Sequence, residues 1–316
     1  MLNVISQNTT FPERLNKLLL KYNNPLCIGI DPHPDLMHPL FGGPNQDPLS
    51  EKTLINLENF CTEIVTTASS LVPAVKPQVA LFERYGSKGM EVLRKISILA
   101  QKLKLIVIMD AKRGDIGSTS RAYAEAWLGK NAVFPSDALT INPYLGVESI
   151  IPFVEIAKKT NSGLFVLTKT SNKGSSDFQE LLFEKNPLWE KVAMSISPIV
   201  IENEKLILNS NFKLSSVGIV VGASGKYESK ILRDILPTAP FLVPGFGAQG
   251  GSAKDALSGI IRDDGSLAGL INSSRNITHN KQLEKASNLN MWKKLLENVI
   301  KITTNQLQEI IYESTN

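Results

Sequence analysis

The stretch KLIVIMDAKRGDIGSTS, Lys104–Ser120, runs from an apolar segment straight into charges of both signs: Asp110, Lys112, Arg113 and Asp115. Its opening residues are apolar without a wet alternate face, so they read as a strand buried on both sides. The residues from Ser118 onward, STSRAYAEAW, have helical character. A strand that leaves the core through a charged turn into a returning helix is one unit of a parallel α/β fold.

Seven further apolar runs repeat this pattern, giving eight in chain order. They are LCIGID (Leu26–Asp31), LVPAVKP (Leu71–Pro77), KLIVIMD (Lys104–Asp110), DALTIN (Asp137–Asn142), GLFVLT (Gly163–Thr168), SVGIVVG (Ser216–Gly222), FLVPG (Phe241–Gly245) and LAGLIN (Leu267–Asn272). Eight such units in 316 residues predict a single-domain (β/α)8 TIM barrel over residues 1–316, because closure leaves no strand edge exposed. A helix with Thr10 as N-cap and Pro12 in its first turn precedes the first strand and is expected to cover the barrel bottom. An excursion between the fifth and sixth strands, about residues 172–214, reads as helical on both sides of Pro187.

Composition narrows the function classes. The formal charge of +4 comes without a run of five or six like charges, so neither a nucleic-acid tail nor a membrane-binding one is indicated. The two cysteines, Cys27 and Cys61, make no disulfide framework and suggest a reducing compartment. Without a basic, apolar leader or a run of eighteen apolar residues, the expected location is cytoplasmic. The NTT sequon at Asn8 reads as chance.

In barrels of this kind the chemistry sits at the carboxyl ends of the strands. Here those ends carry Asp31, Lys76, Asp110 with Lys112, Asn142, TKTSN with Ser171, PGFGAQGG with Gln249, and NSSR with Arg275. Asp110 and Lys112, two apart, project to one face if the strand persists through Lys112. Lys76 ends an apolar strand and must snorkel out or find an acid. Asp115 lies beyond Gly114 and would reach the site by folding back or by entering a neighbouring subunit; a helix-capping carboxylate is the competing reading. For Asp31, ahead of Pro32, the plain alternative is an Asx-turn. The glycines after the seventh strand, with Arg275 one strand later, suit an anion such as phosphate. His33, His38 and His279 lack metal-ligand spacing, and Ser171 and Ser224 have no evident histidine partner.

These residues together resemble the orotidine 5′-phosphate decarboxylase family in its larger, type 2 form. The most specific segment is DAKRGDI, Asp110–Ile116, which fits the family's Asp-x-Lys-x-x-Asp-Ile signature; LTKTSN, PGFGAQGG and the Ser274–Arg275 pair follow in order. The resemblance implies a homodimeric barrel with shared active sites that converts orotidine monophosphate to uridine monophosphate without metal or organic cofactor. It also implies roles. Asp110 would face the substrate carboxylate and Lys112 would protonate the carbon left behind, while Lys76 and Asp31 would hold the charged array and the ribose hydroxyls. Asp115, Ile116 and Thr119 would cross into the partner's site. Ser171 would hydrogen-bond the pyrimidine, Gln249 and Arg275 would bind phosphate, and Asn142 would lie among the substrate-binding residues.

Two other readings stay open on the sequence. One is a metal-dependent sugar-phosphate lyase or decarboxylase of the same barrel superfamily, against which Lys76 argues, since an ammonium at the second strand end repels magnesium. The other is a non-catalytic barrel that binds a phosphorylated ligand.

Overall fold

The computed structural model describes residues 9–208, 210, 212–223, 225–247 and 252–315. The eight apolar runs become eight parallel strands: β1 (Leu26–Ile30), β2 (Ala74–Pro77), β3 (Ile106–Arg113), β4 (Ala138–Ile141), β5 (Gly163–Lys169), β6 (Val217–Val221), β7 (Phe241–Pro244) and β8 (Gly269–Ser273). Each pairs with its neighbours in chain order, and β1 closes the ring on β8 with Leu26 opposite Ile271. Closure gives every strand two partners, which is why β1, β4 and β6 are buried at every position and need no polar alternation.

Two apolar clusters follow from this geometry. The inner one gathers Cys27, Ala74, Ile106, Ile108, Ala138, Phe165, Val220, Leu242 and Leu270 inside the barrel. The N-terminal helix Phe11–Tyr22 belongs to it through Phe11, Leu15 and Leu19, and so plugs the bottom as expected. Glu13 starts that helix by accepting from both the backbone N–H and the hydroxyl of Thr10, each at 2.7 Å. Phe11 meets Phe165 edge-on at 6.0 Å, in space that a side chain at Gly163 would fill. The outer cluster lies between the barrel and its helices, with Phe41, Phe60 and Trp292 packed together on one side.

The excursion departs from the sequence expectation. Only the part after Pro187 is a long helix, Leu188–Glu202, and it is the crossover between β5 and β6. Before Pro187 the chain makes a 3-10 turn, Lys173–Asp177, and a two-stranded hairpin pairing Leu182–Phe183 with Asn186–Pro187. Two local features disfavour a helix there. Proline pushes the preceding Asn186 toward extended backbone, and Glu184 adopts a left-handed φ of 58° that closes the hairpin turn. Pro187 then serves as the N-cap of the helix that follows. A second hairpin, Glu204–Leu206 with Lys213–Ser215, leads into β6.

Candidate active site

Asp110 occupies the centre of the carboxyl end of the barrel and is 7% exposed. One carboxylate oxygen accepts from Lys76 Nζ and, at 3.2 Å, from Gln78 Nε2. The other accepts from Lys112 Nζ at 2.5 Å and from Thr140 Oγ1 at 3.1 Å. Burial alone would push this carboxyl upward, but Lys76 and Lys112 outweigh it and hold the group far below the usual carboxylate range. Lys76 is buried too. Desolvation pulls its ammonium down, and the charges of Asp110 and Asp31 more than restore it. Two cations around one anion thus hold the buried Asp110 and Lys76 in their ionised forms.

Lys112 reaches Asp110 by a route that simple alternation does not describe. Met109 pairs with Leu139 and Arg113 with Ile141, so β3 advances four residues while β4 advances two. The surplus forms a bulge in which Lys112 takes a left-handed φ of 49°. Its N–H donates to Thr140 Oγ1 at 2.9 Å, and Thr140 in turn donates to Asp110. The bulge leaves the Lys112 side chain 45% exposed at the barrel mouth, while Lys76 lies beneath.

The neighbouring strand ends complete the bowl. Asp31 follows β1, and its Oδ1 is buried without a hydrogen-bond partner among the described residues, as are Asn272 Oδ1 and Ser273 Oγ at the end of β8. These ends approach closely because Gly29 has no side chain: a Cβ there would lie 1.9 Å from Ser274 Oγ. Arg275 is exposed in the turn after β8, opening the one-turn helix Arg275–Thr278. The turn after β7 passes through Gly245 and Gly247, both at positive φ. Gln249 and Ser224 lie outside the described residues, as does Asn8. Ser171 is half-buried where β5 and β6 end, against Gly222.

Asp115, Ile116 and Thr119 do not join the array of their own chain. The Asp115 carboxylate accepts from the adjacent Ile116 N–H at 2.8 Å, and no ion pair to it occurs among the described residues. Nor does it cap the following helix, Gly117–Leu128, whose N-cap is Ile116. Ile116 is 55% exposed and Thr119 is also exposed. Asn142 is exposed as well; its side chain accepts from Tyr144 N–H at 3.0 Å in an Asx-turn and its backbone abuts Gly114.

Three contributors escaped the sequence reading. Gln78 and Thr140 are neutral residues whose role exists only once β2, β3 and β4 lie side by side. Lys169, at the end of β5 and 8% exposed, binds Glu180 at 2.5 Å and Ser175 Oγ at 3.2 Å, which ties the start of the excursion over the mouth. A lysine closing an apolar strand, the signal that singled out Lys76, was present at Lys169 also.

Comparison with known proteins identifies the family of the chain. The model of the orotidine 5′-phosphate decarboxylase / HUMPS family matches residues 24–289. An orotidine 5′-phosphate decarboxylase of Rhodopirellula baltica is 39% identical over 286 residues, covering 88% of this chain and 91% of its own. That of Caldicellulosiruptor bescii is 38% identical over 280 residues, covering 85% and 89%. Among solved structures, the OMP decarboxylase of Leishmania donovani superposes with a TM-score of 0.74 at 29% identity, over 96% of this chain and all of the other.

Proposed function

Because the chain belongs to the orotidine 5′-phosphate decarboxylase / HUMPS family, we propose that its Lys76–Asp110–Lys112 array carries out the reaction for which its relatives are named. The chain is a carboxy-lyase: it removes carbon dioxide from orotidine 5′-monophosphate and releases uridine 5′-monophosphate, a step of pyrimidine biosynthesis. The observation that carries the residue assignment is the buried Asp110 carboxylate held by two ammonium groups, one beneath it and one at the mouth.

In this reading the substrate carboxylate sits beside Asp110 and Lys112. The bond from ring carbon to carboxylate breaks, carbon dioxide departs, and the electron pair stays on the ring carbon. Lys112 Nζ–H gives that carbon its proton and solvent restores the ammonium. At about 4 Å and an effective dielectric near 20, each unit charge facing the developing carbanion is worth roughly 4 kcal/mol. Such a contact accelerates the step only to the extent that it strengthens as charge develops. Asp31, with its unsatisfied buried oxygen, is suited to accept from ribose hydroxyls. Arg275 and Gln249 bind the phosphate, Ser171 binds the base, and Asn142 borders the mouth.

A divalent cation at Asp110 would face Lys76 and Lys112 at once, which favours the metal-free reaction over a metal-dependent sugar-phosphate chemistry on the same barrel. The test is loss of orotidine monophosphate absorbance by purified protein in EDTA. Turnover is expected to stay within about twofold of the rate without chelator, whereas binding the nucleotide without turning it over would revert the protein to a ligand-binding barrel.

The exposed Ile116 and Thr119, with the half-buried Asp115 that stays apart from its own chain's array, support a homodimer in which each copy completes the other's site. If so, Lys112→Ala and Asp115→Ala chains, each inactive alone, regain activity when mixed. Random exchange gives one intact site in every mixed dimer, or about a quarter of wild-type activity. Demonstrated subunit exchange with no recovery would rule out the shared site. No helix among the described residues is long and apolar enough to cross a membrane.

A further inference from the structure

His279 is a histidine that the reaction above does not use. It follows the one-turn helix opened by Arg275, and its backbone N–H returns to Arg275 O at 3.0 Å. Its ring faces the loop after β1. Nε2 lies 2.9 Å from the carbonyl oxygen of Asp31 and Nδ1 lies 3.1 Å from that of Leu36. The Asp31 carbonyl also accepts from His33 N–H at 2.8 Å. Phe60, from the helix Glu51–Ala68, stacks on the imidazole at 5.5 Å and 28°, and Phe41 and Trp292 brace Phe60 in turn. The ring is therefore fixed in plane with an edge on each end of a six-residue loop.

We propose that His279 is a positioning residue: it holds the loop after β1, and Asp31 with it, in register with the turn after β8 that carries Arg275. The proposal rests on the function given above, in which Asp31 meets the ribose and Arg275 the phosphate. Those groups are joined through one nucleotide, so the relative placement of the two loops sets how well both can be satisfied together. The Asp31 carboxylate has its Oδ1 buried without a hydrogen-bond partner among the described residues. Its placement falls to the backbone, and the backbone is held by His279. A neutral imidazole has one N–H and so donates to one of the two carbonyls at a time. Burial pulls His279 below the usual imidazole range, which keeps it in that neutral, singly donating form.

The test separates this role from mere packing. His279→Phe keeps the stacking on Phe60 and removes both nitrogens; His279→Gln retains a donor at the reach of Nε2, and His279→Asn one at the reach of Nδ1. With orotidine monophosphate as substrate, His279→Phe and His279→Asn are expected to raise KM about tenfold, with kcat changed less than about threefold, as loss of one positioning hydrogen bond implies. His279→Gln should recover KM to within about threefold of wild type. In an Asp31→Ala background the Phe substitution should raise KM by less than about twofold, because the group it positions is gone. An unchanged KM in folded His279→Phe overturns the proposal. So does an equal effect with and without Asp31, or the same KM for all three variants with only the melting temperature altered. Wild-type protein that fails to turn over the nucleotide defeats the functional reading itself, a result distinguishable from any of these.

Discussion

Lys112→Ala is expected to lower kcat by about 10⁴-fold or more while leaving the fold intact. A positioned general acid contributes roughly 10²–10⁴-fold on its own. Lys112 is also the ammonium nearest the mouth, and a countercharge worth roughly 4 kcal/mol corresponds to nearly three further decades. The two roles share one group, so their sum is an upper bound. Stability should move little. Asp110 keeps Lys76, Gln78 and Thr140, and the half-exposed Lys112 pair is screened by solvent. The measurement is kcat by absorbance together with a thermal melt. A loss of less than tenfold in folded protein would take the proton from another donor. Lys112→Gly sharpens the point: relief of the left-handed backbone should make it about 1 kcal/mol more stable than Lys112→Ala and no more active. The charged array itself is stabilising above the ordinary carboxylate range. Because Asp110 is depressed in the folded state, that contribution disappears only as the pH falls below about 4 toward the folded value.

The largest stability effect is expected at the other end of the barrel. Arg233 directs its guanidinium into the turns that precede β7 and β8. Nη1 donates to the carbonyls of Leu236, Pro237 and Ala239 at 3.1, 3.2 and 2.7 Å. Nη2 donates to Gly259 and Ala268 at 2.8 and 3.2 Å, and Nε to Gly259 at 3.3 Å. Its Cζ lies over the Phe241 ring, 3.9 Å from the centroid. Burial, with Arg262 nearby, brings its pKa down to about 9, which still leaves the cation charged at neutral pH. Its neighbours here are carbonyl dipoles rather than a carboxylate. Arg233→Met fills similar space but leaves those carbonyls without their donors, a loss of about 3 kcal/mol or more. Urea denaturation measures it; a change under about 1 kcal/mol would mean that solvent replaces the guanidinium at no cost. Turnover of the folded fraction should stay within about threefold of wild type, since the active site lies at the opposite ends of these strands.

The sequence made the barrel legible because buried parallel strands are apolar on both faces and recur between helices, and all eight runs overlap their strands. It made the charged array legible as a set of residue types at strand ends. What it could not show depends on neighbours distant in the chain. Gln78 and Thr140 look like ordinary polar residues until three strands bring them to one carboxylate. The bulge that turns Lys112 into the left-handed region depends on how β3 slips against β4, and such a register has no local signature. The hairpin before Pro187 was hidden for another reason: FQELLFEK has the composition of a helix, and only Glu184 at positive φ and the proline behind it break the run.

The plug formed by Phe11–Tyr22 also bears on the order in which the molecule can be assembled. Arg14 bonds to Asp137 and to the Asn161 carbonyl, 123 and 147 residues further along, and Phe11 rests on Gly163 and Phe165. On the ribosome that helix is made long before its partners exist, and β1 waits longer still for β8. A growing chain thus carries an apolar helix face and an unpaired strand edge through most of its synthesis. These are the surfaces that chaperones hold and that aggregate when released too soon.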